Sequence, residues 1–313
     1  MLQGVGIICF AGSYAVALAL ELSRLLFRSG VRGAVMLLFA GAGLVAHSAF
    51  LYYRAVKTTG SPLSSERDWY LVAAWVLVVI YLYLVYYHPR TPFGLFLLPL
   101  ALGLVGAGVL ADKTPFDQGR ASRVWGMIHG ASILLATVSV LVGFAAGLMY
   151  LAQARRLKRK LPPFRSLRLP SLEWLQRANS RAIVVSVLML GVGVLSGMVL
   201  NRVRATHLSW GDPIVFSTTA MFAWLLVAAV VGAVYRPARE GRKVAYLTVV
   251  SFVFLVVALG VFLGGQHGNE RGRRKVEGGI AQRCETDVPL ITHPPTGLGD
   301  SGRRLGRLRG GPA

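Results

Sequence analysis

Six histidines stand in a chain of 313 residues that carries only 15% charged side chains. Ionisable groups are costly in hydrocarbon, so a histidine inside or beside a long apolar run is a candidate for function. Four qualify: His47 and His129 lie within apolar runs, His207 in the polar segment 202–213, and His267 just beyond the last run. His88 precedes Pro89 at a run's end and His293 sits in the C-terminal tail, settings that ask for no more than an interfacial or surface imidazole. Neutral imidazole ligates transition metals and haem iron. Two imidazoles from different helices can hold one b-type haem between them, its face against apolar side chains and its propionates toward water.

The segment RVRATHLSWGDP, residues 202–213, carries matching parts. Arg202 and Arg204 present guanidinium forks suited to carboxylates such as propionates. Trp210 offers a flat amphipathic surface for a porphyrin, and Asp212 can orient a ligand. Plainer roles stand beside these: Asp212–Pro213 makes an ordinary helix start, Trp210 an ordinary interfacial aromatic, and a helix-end histidine can simply be hydrogen-bonded. Zinc is disfavoured, because no H-x-x-x-H or C-x-x-C spacing occurs. Cys9 and Cys284 are far apart, and Cys9 is expected to be buried in apolar surroundings. No Ser/His/Asp constellation, phosphate loop or dinucleotide fingerprint is present. No side chain stands out as a dedicated general base or nucleophile.

The elements that position these residues follow from the apolar runs. A run of about 20 apolar residues crosses the hydrocarbon core as a helix, which satisfies its own backbone hydrogen bonds. Eight such runs place spans near 2–22, 33–53, 69–88, 92–111, 124–152, 182–201, 213–235 and 244–265. The expected fold is an all-α polytopic membrane protein, a bundle of eight transmembrane helices over residues 1–267. Residues 268–313, rich in Gly, Pro and Arg, read as a disordered basic tail. The first run has no preceding basic residue and no small-residue cleavage site, so it is expected to stay as a helix.

Charge then sets sidedness. The loops after spans 1, 3, 5 and 7 hold 17 Lys and Arg, those after spans 2, 4 and 6 hold eight, which places the first set in the cytoplasm. Both termini then lie outside, and His47, His129, His207 and His267 gather toward one outer, periplasmic face of the cell inner (plasma) membrane. The formal net charge of +21 sits beside membrane spans, where it meets anionic lipid rather than nucleic acid. Span 5 and its basic extension, 124–160, exceed the membrane thickness and project into the cytoplasm until Pro162–Pro163. After that stop, RLPSLEW (168–174) predicts a short helix along the inner surface, with Ser171 as its cap.

These residues resemble a family. WGMIHGASILLATVSVLVGFAAGLMYL (125–151) is similar to the span that begins at the first external histidine of cytochrome c assembly proteins of the CcsA/CcmC/HemX-like group. RLPSLEWLQR (168–177) resembles the cytoplasmic segment of the HemX-like branch, and SPLSSERDWYLVAAW (61–75) the entry to the family's third span. Trp210, Asp212 and Pro213 stand where the family has its tryptophan-rich loop ending in W-D-P, and LGGQHG (263–268) resembles the closing segment with the second external histidine. The resemblance implies a membrane protein that holds haem at the outer face for delivery to apocytochrome c, working with a partner membrane protein of the assembly system. It implies His129 and His267 as axial ligands, Trp210 and Asp212 in the haem platform, and His47 as the histidine inside an early span that handles haem on its way outward. Two departures stand out. The loop keeps a single tryptophan, spaced W-G-D-P, and AVYRPAR (233–239) replaces the histidine that usually ends the following span. These favour the HemX-like side, where regulation of a cytoplasmic enzyme of haem biosynthesis is an alternative. A small-solute transporter is a third reading, although no internal repeat and no midplane charge supports it.

Overall fold

The computed structural model describes residues 6–26, 30–57, 65–89, 91–111, 120–160, 169–203, 213–234 and 245–260. Among these, all regular structure is helical: α1 (Ile7–Leu26), α2 (Gly30–Lys57), α3 (Glu66–Tyr87), α4 (Gly94–Leu110), α5 (Arg120–Lys158), α6 (Leu172–Val203), α7 (Pro213–Val234) and α8 (Ala245–Gly260). Five of them (α2, α3, α5, α6 and α7) are long and apolar enough to cross a membrane, while α1, α4 and α8 contain shorter apolar helices. Each of the eight apolar runs thus corresponds to one helix.

The antiparallel pair α5/α6 has the most extensive packing, followed by the hairpins α1/α2 and α3/α4. Helix α1 also packs on α4, α2 on α3, α7 on α6, and both α3 and α4 on α5. Helix α8 closes against α5, α6 and α7. Phe252 stacks on Phe144 with ring centroids 3.8 Å apart, Thr248 Oγ1 donates to Asn179 Oδ1 at 2.7 Å, and Trp224 Nε1 donates to Ser251 Oγ at 3.1 Å. One continuous apolar core runs through the bundle from Phe10 and Tyr14 to Leu225 and Leu255.

The outward surface is apolar as well. Ile8, Leu38, Val45, Leu195, Phe216 and Val234 are all exposed. Soluble proteins rarely display contiguous apolar patches of this kind, whereas hydrocarbon solvates them at no cost. The architecture is that of a multi-pass membrane protein.

Two local expectations change. No separate surface helix begins within residues 169–174. Ser171 Oγ accepts the Trp174 backbone N–H at 3.3 Å, as a cap should, but the helix it starts runs unbroken to Val203. No proline or glycine falls between 172 and 190 to interrupt it. Cys9 is exposed on the outward side of α1 rather than buried, because Phe10, Tyr14 and Ala17 supply that helix's inward face. Helix α5 does outlast any membrane, 39 residues or about 58 Å, and ends in a turn where Lys160 has φ of 49°.

Candidate functional site

His129 stands near the start of α5, and its place is made by α6. Its ring lies over Gly197: a Cβ there would come within 2.9 Å of His129 Cε1 and 3.0 Å of Nδ1. One turn earlier on α6, the Gly193 carbonyl accepts the His129 Nδ1–H at 2.7 Å and also the Ser196 hydroxyl at 2.9 Å. Gly193 and Gly197 form a G-x-x-x-G step, the spacing that lets two apolar helices approach closely. Because a carbonyl can only accept, Nδ1 carries the proton, and in the neutral form of the ring the lone pair falls on Nε2. This is the tautomer of an imidazole prepared to ligate a metal through Nε2, with its other nitrogen anchored by the backbone. His129 is half-buried, so its ring edge lies at the boundary of the bundle.

Trp69 of α3 reaches the same place. A Cβ on Gly130 would lie 2.5 Å from Trp69 Cζ2, so the indole presses directly on the backbone beside His129. Sequence reading passed over Trp69, although SSERDW followed by an apolar run marks a helix start and His-Gly at 129–130 marks a close approach. The start of α3 is pinned by a polar knot: Arg54 Nε lies 2.7 Å from Asp68 Oδ1, and Ser65 Oγ donates to Asp68 Oδ2 at 2.8 Å. Asp68 is buried and Arg54 only partly exposed, so this knot ties α2 to α3 at the His129 end of the bundle.

His47 is placed differently. It is completely buried on α2, between residues of α1. Phe10 stacks on its ring, with centroids 4.0 Å apart and planes 3° from parallel. The Tyr14 hydroxyl is 3.2 Å from His47 Nδ1. His47 Nε2 is buried with no hydrogen-bond partner among the described residues. His47 and His129 are therefore not one site. Each belongs to its own helix pair, α1/α2 and α5/α6.

Of the other candidates, Arg202 is exposed in the last turn of α6, one turn beyond Gly197 and toward the His129 end. His88 ends α3, where its ring packs with Phe93 and Trp174 at centroid distances of 6.2 and 6.1 Å. Arg204, His207, Trp210, Asp212, His267, His293, the 233–239 departure beyond Val234 and the tail 268–313 lie outside the described residues.

Comparison with known proteins bears on the whole of this bundle. Residues 19–267 match the family described as cytochrome C assembly protein. The chain is similar to the cytochrome c biogenesis protein CcsA of Guillardia theta, at 27% identity over 236 residues, covering 67% of this chain and 77% of that protein. It is likewise 27% identical to the CcsA proteins of a Synechococcus species over 286 residues, 82% and 92% of the two chains, and of Parasynechococcus marenigrum over 295 residues, 85% and 94%. No solved structure matches.

Proposed function

The chain belongs to the cytochrome c assembly protein family, and from that premise we propose that it holds haem at the outer face of the membrane, between His129 and His267, for delivery to apocytochrome c. The observation that carries this reading is the His129 tautomer: Nδ1 is anchored on the Gly193 carbonyl, which leaves the lone pair on Nε2 at a half-buried helix face. The described residues fit a haem. An imidazole with its Nδ1 proton anchored sits on a glycine face too flat to tolerate a side chain, next to an indole, at the rim of an apolar bundle.

In this reading all eight helices cross the inner membrane, and both termini lie on the outer side. Helix α8 packs against α5, α6 and α7, and the reading assigns His267, which follows it in the sequence, to the same end as His129. Trp210 and Asp212 complete the platform, and Arg202 and Arg204 face the propionates. The bound group is a b-type haem, which supplies the iron and the vinyl groups that thiols add to. The protein's own residues fix its position, exclude water from one face and keep it ligated while the apocytochrome approaches. His47 is a second, intramembrane stop for haem on its way outward. A partner membrane protein of the assembly system supplies the apocytochrome.

The test is a deletion strain examined for covalent haem in its c-type cytochromes. Covalent haem is expected to disappear, to return with the intact chain, and not to return with His129→Ala. A second reading rests on the exposed basic end of α5, Arg155 to Lys160, and on the HemX-like features of the sequence. There the chain would dock a cytoplasmic enzyme of haem biosynthesis. Normal c-type cytochromes with altered haem precursors in the deletion strain would replace the first reading with this one.

A further inference from the structure

The α1/α2 pair contains an arrangement that ligand carriage at His47 alone does not explain. Three observations converge on one imidazole. Phe10 fixes the plane of the His47 ring by parallel stacking at 4.0 Å. Tyr14, one helical turn further along α1, brings its hydroxyl to 3.2 Å from Nδ1. Gly43, one turn before His47 on α2, makes room for that phenol, since a Cβ there would come within 2.7 Å of Tyr14 Cε1. The remaining nitrogen, Nε2, is fully buried and has no hydrogen-bond partner among the described residues. Buried polar atoms in folded proteins are almost always partnered, and an orphan calls for an explanation. Phe10 and Tyr14 precede residue 19, where the family match begins.

We propose that Tyr14 is a positioning residue for His47, holding its Nδ1 proton so that Nε2 serves as an intramembrane ligand for haem iron. This rests on the haem-carrying reading above. A ligand that takes the Nε2 lone pair leaves the proton on Nδ1, and the Tyr14 oxygen is the acceptor in place for it. Partners of this kind orient a ligating imidazole and raise its basicity, and their loss costs about 10–100-fold in metal affinity. Since His47 is completely buried, haem reaches Nε2 only when neighbouring side chains yield. Stacking and the phenol bond keep the ring fixed meanwhile.

The experiment uses the purified full-length chain titrated with haemin in detergent. His129→Ala removes the outer site, and a residual ferric haem population is expected, lost when His47→Ala is added. Adding Tyr14→Phe to His129→Ala should weaken that residual binding about 10–100-fold. It should also raise the midpoint potential of the bound haem, because an imidazole without its Nδ1 acceptor donates less to ferric iron. Gly43→Ala in the same background should reproduce both effects by displacing the phenol while leaving Tyr14 and His47 intact. In His47→Ala protein, Tyr14→Phe should leave the outer haem unchanged. Unchanged residual affinity and potential in both Tyr14→Phe and Gly43→Ala would overturn the proposal, as would an equal loss of outer haem in the His47→Ala protein. If His129→Ala abolishes all haem, the Tyr14 proposal fails while the outer site stands. If the intact chain takes up no haem, both fall.

Discussion

His129 and His47 are the same side chain held in two ways, and the contrast suits the two tasks proposed for them. His129 is anchored by a backbone carbonyl of α6, lies on a glycine face and reaches the edge of the bundle. His47 is anchored by a phenol, sandwiched against an aromatic ring and sealed on every side. A backbone anchor cannot rotate away, and it suits a site that must stay formed while a large partner comes and goes. A side-chain anchor can move with its helix, and it suits a site that must open and close within the membrane. Rigid presentation and gated passage are different demands on one imidazole.

Substitutions that touch one region, both, or neither sharpen this contrast. The largest effect is expected from Gly197→Val. Its side chain would occupy the space of the His129 ring and break the Nδ1 bond to Gly193. Haem affinity of the outer site should fall about 10–100-fold in haemin titration, the cost of losing a ligand's anchoring partner, with the His47 population untouched. Equal losses at both histidines would erase the distinction between them.

Asp68→Ala comes next. It removes the Asp68 carboxylate from Arg54 in a partly buried knot and is expected to cost about 1–3 kcal/mol, below the value for a fully buried pair because Arg54 keeps some solvent. The knot lies between the helix of His47 and the helix of Trp69, so thermal unfolding in detergent should shift downward and both haem populations should weaken together. A shift confined to one population would show that the two regions are independent at that end.

The smallest effect belongs to Thr248→Val, which removes the hydroxyl bonded to Asn179 far from either imidazole. Interhelical hydrogen bonds in membranes average about 0.6 kcal/mol, so a slight loss of thermal stability is expected with haem binding intact.

The helices were legible in the sequence because hydrocarbon imposes one demand on every span, and eight apolar runs can be counted without knowing their neighbours. Observed bounds differ where polar residues extend a helix beyond its apolar part, as at Leu172–Arg181 of α6 and Gly30–Arg32 of α2. Charge alone could not reveal that extension, since a helix entering water needs no apolar run. The candidate histidines were legible by type and cost of burial. Their partners were not: His129 finds Gly193 from 64 residues away, and Tyr14 finds His47 from 33. Such pairs are set by packing between helices, which composition does not encode. The G-x-x-x-G step at 193–197 was the one readable hint, and it marks the face that receives His129.

Haem ligation by His129 is tested by the optical spectrum of the purified full-length chain loaded with haemin. The expected result is a low-spin b-type spectrum whose main component is lost in His129→Ala and, separately, in His267→Ala. A preparation that stays colourless with added haemin, or one whose spectrum is the same in both variants as in the intact chain, would contradict it.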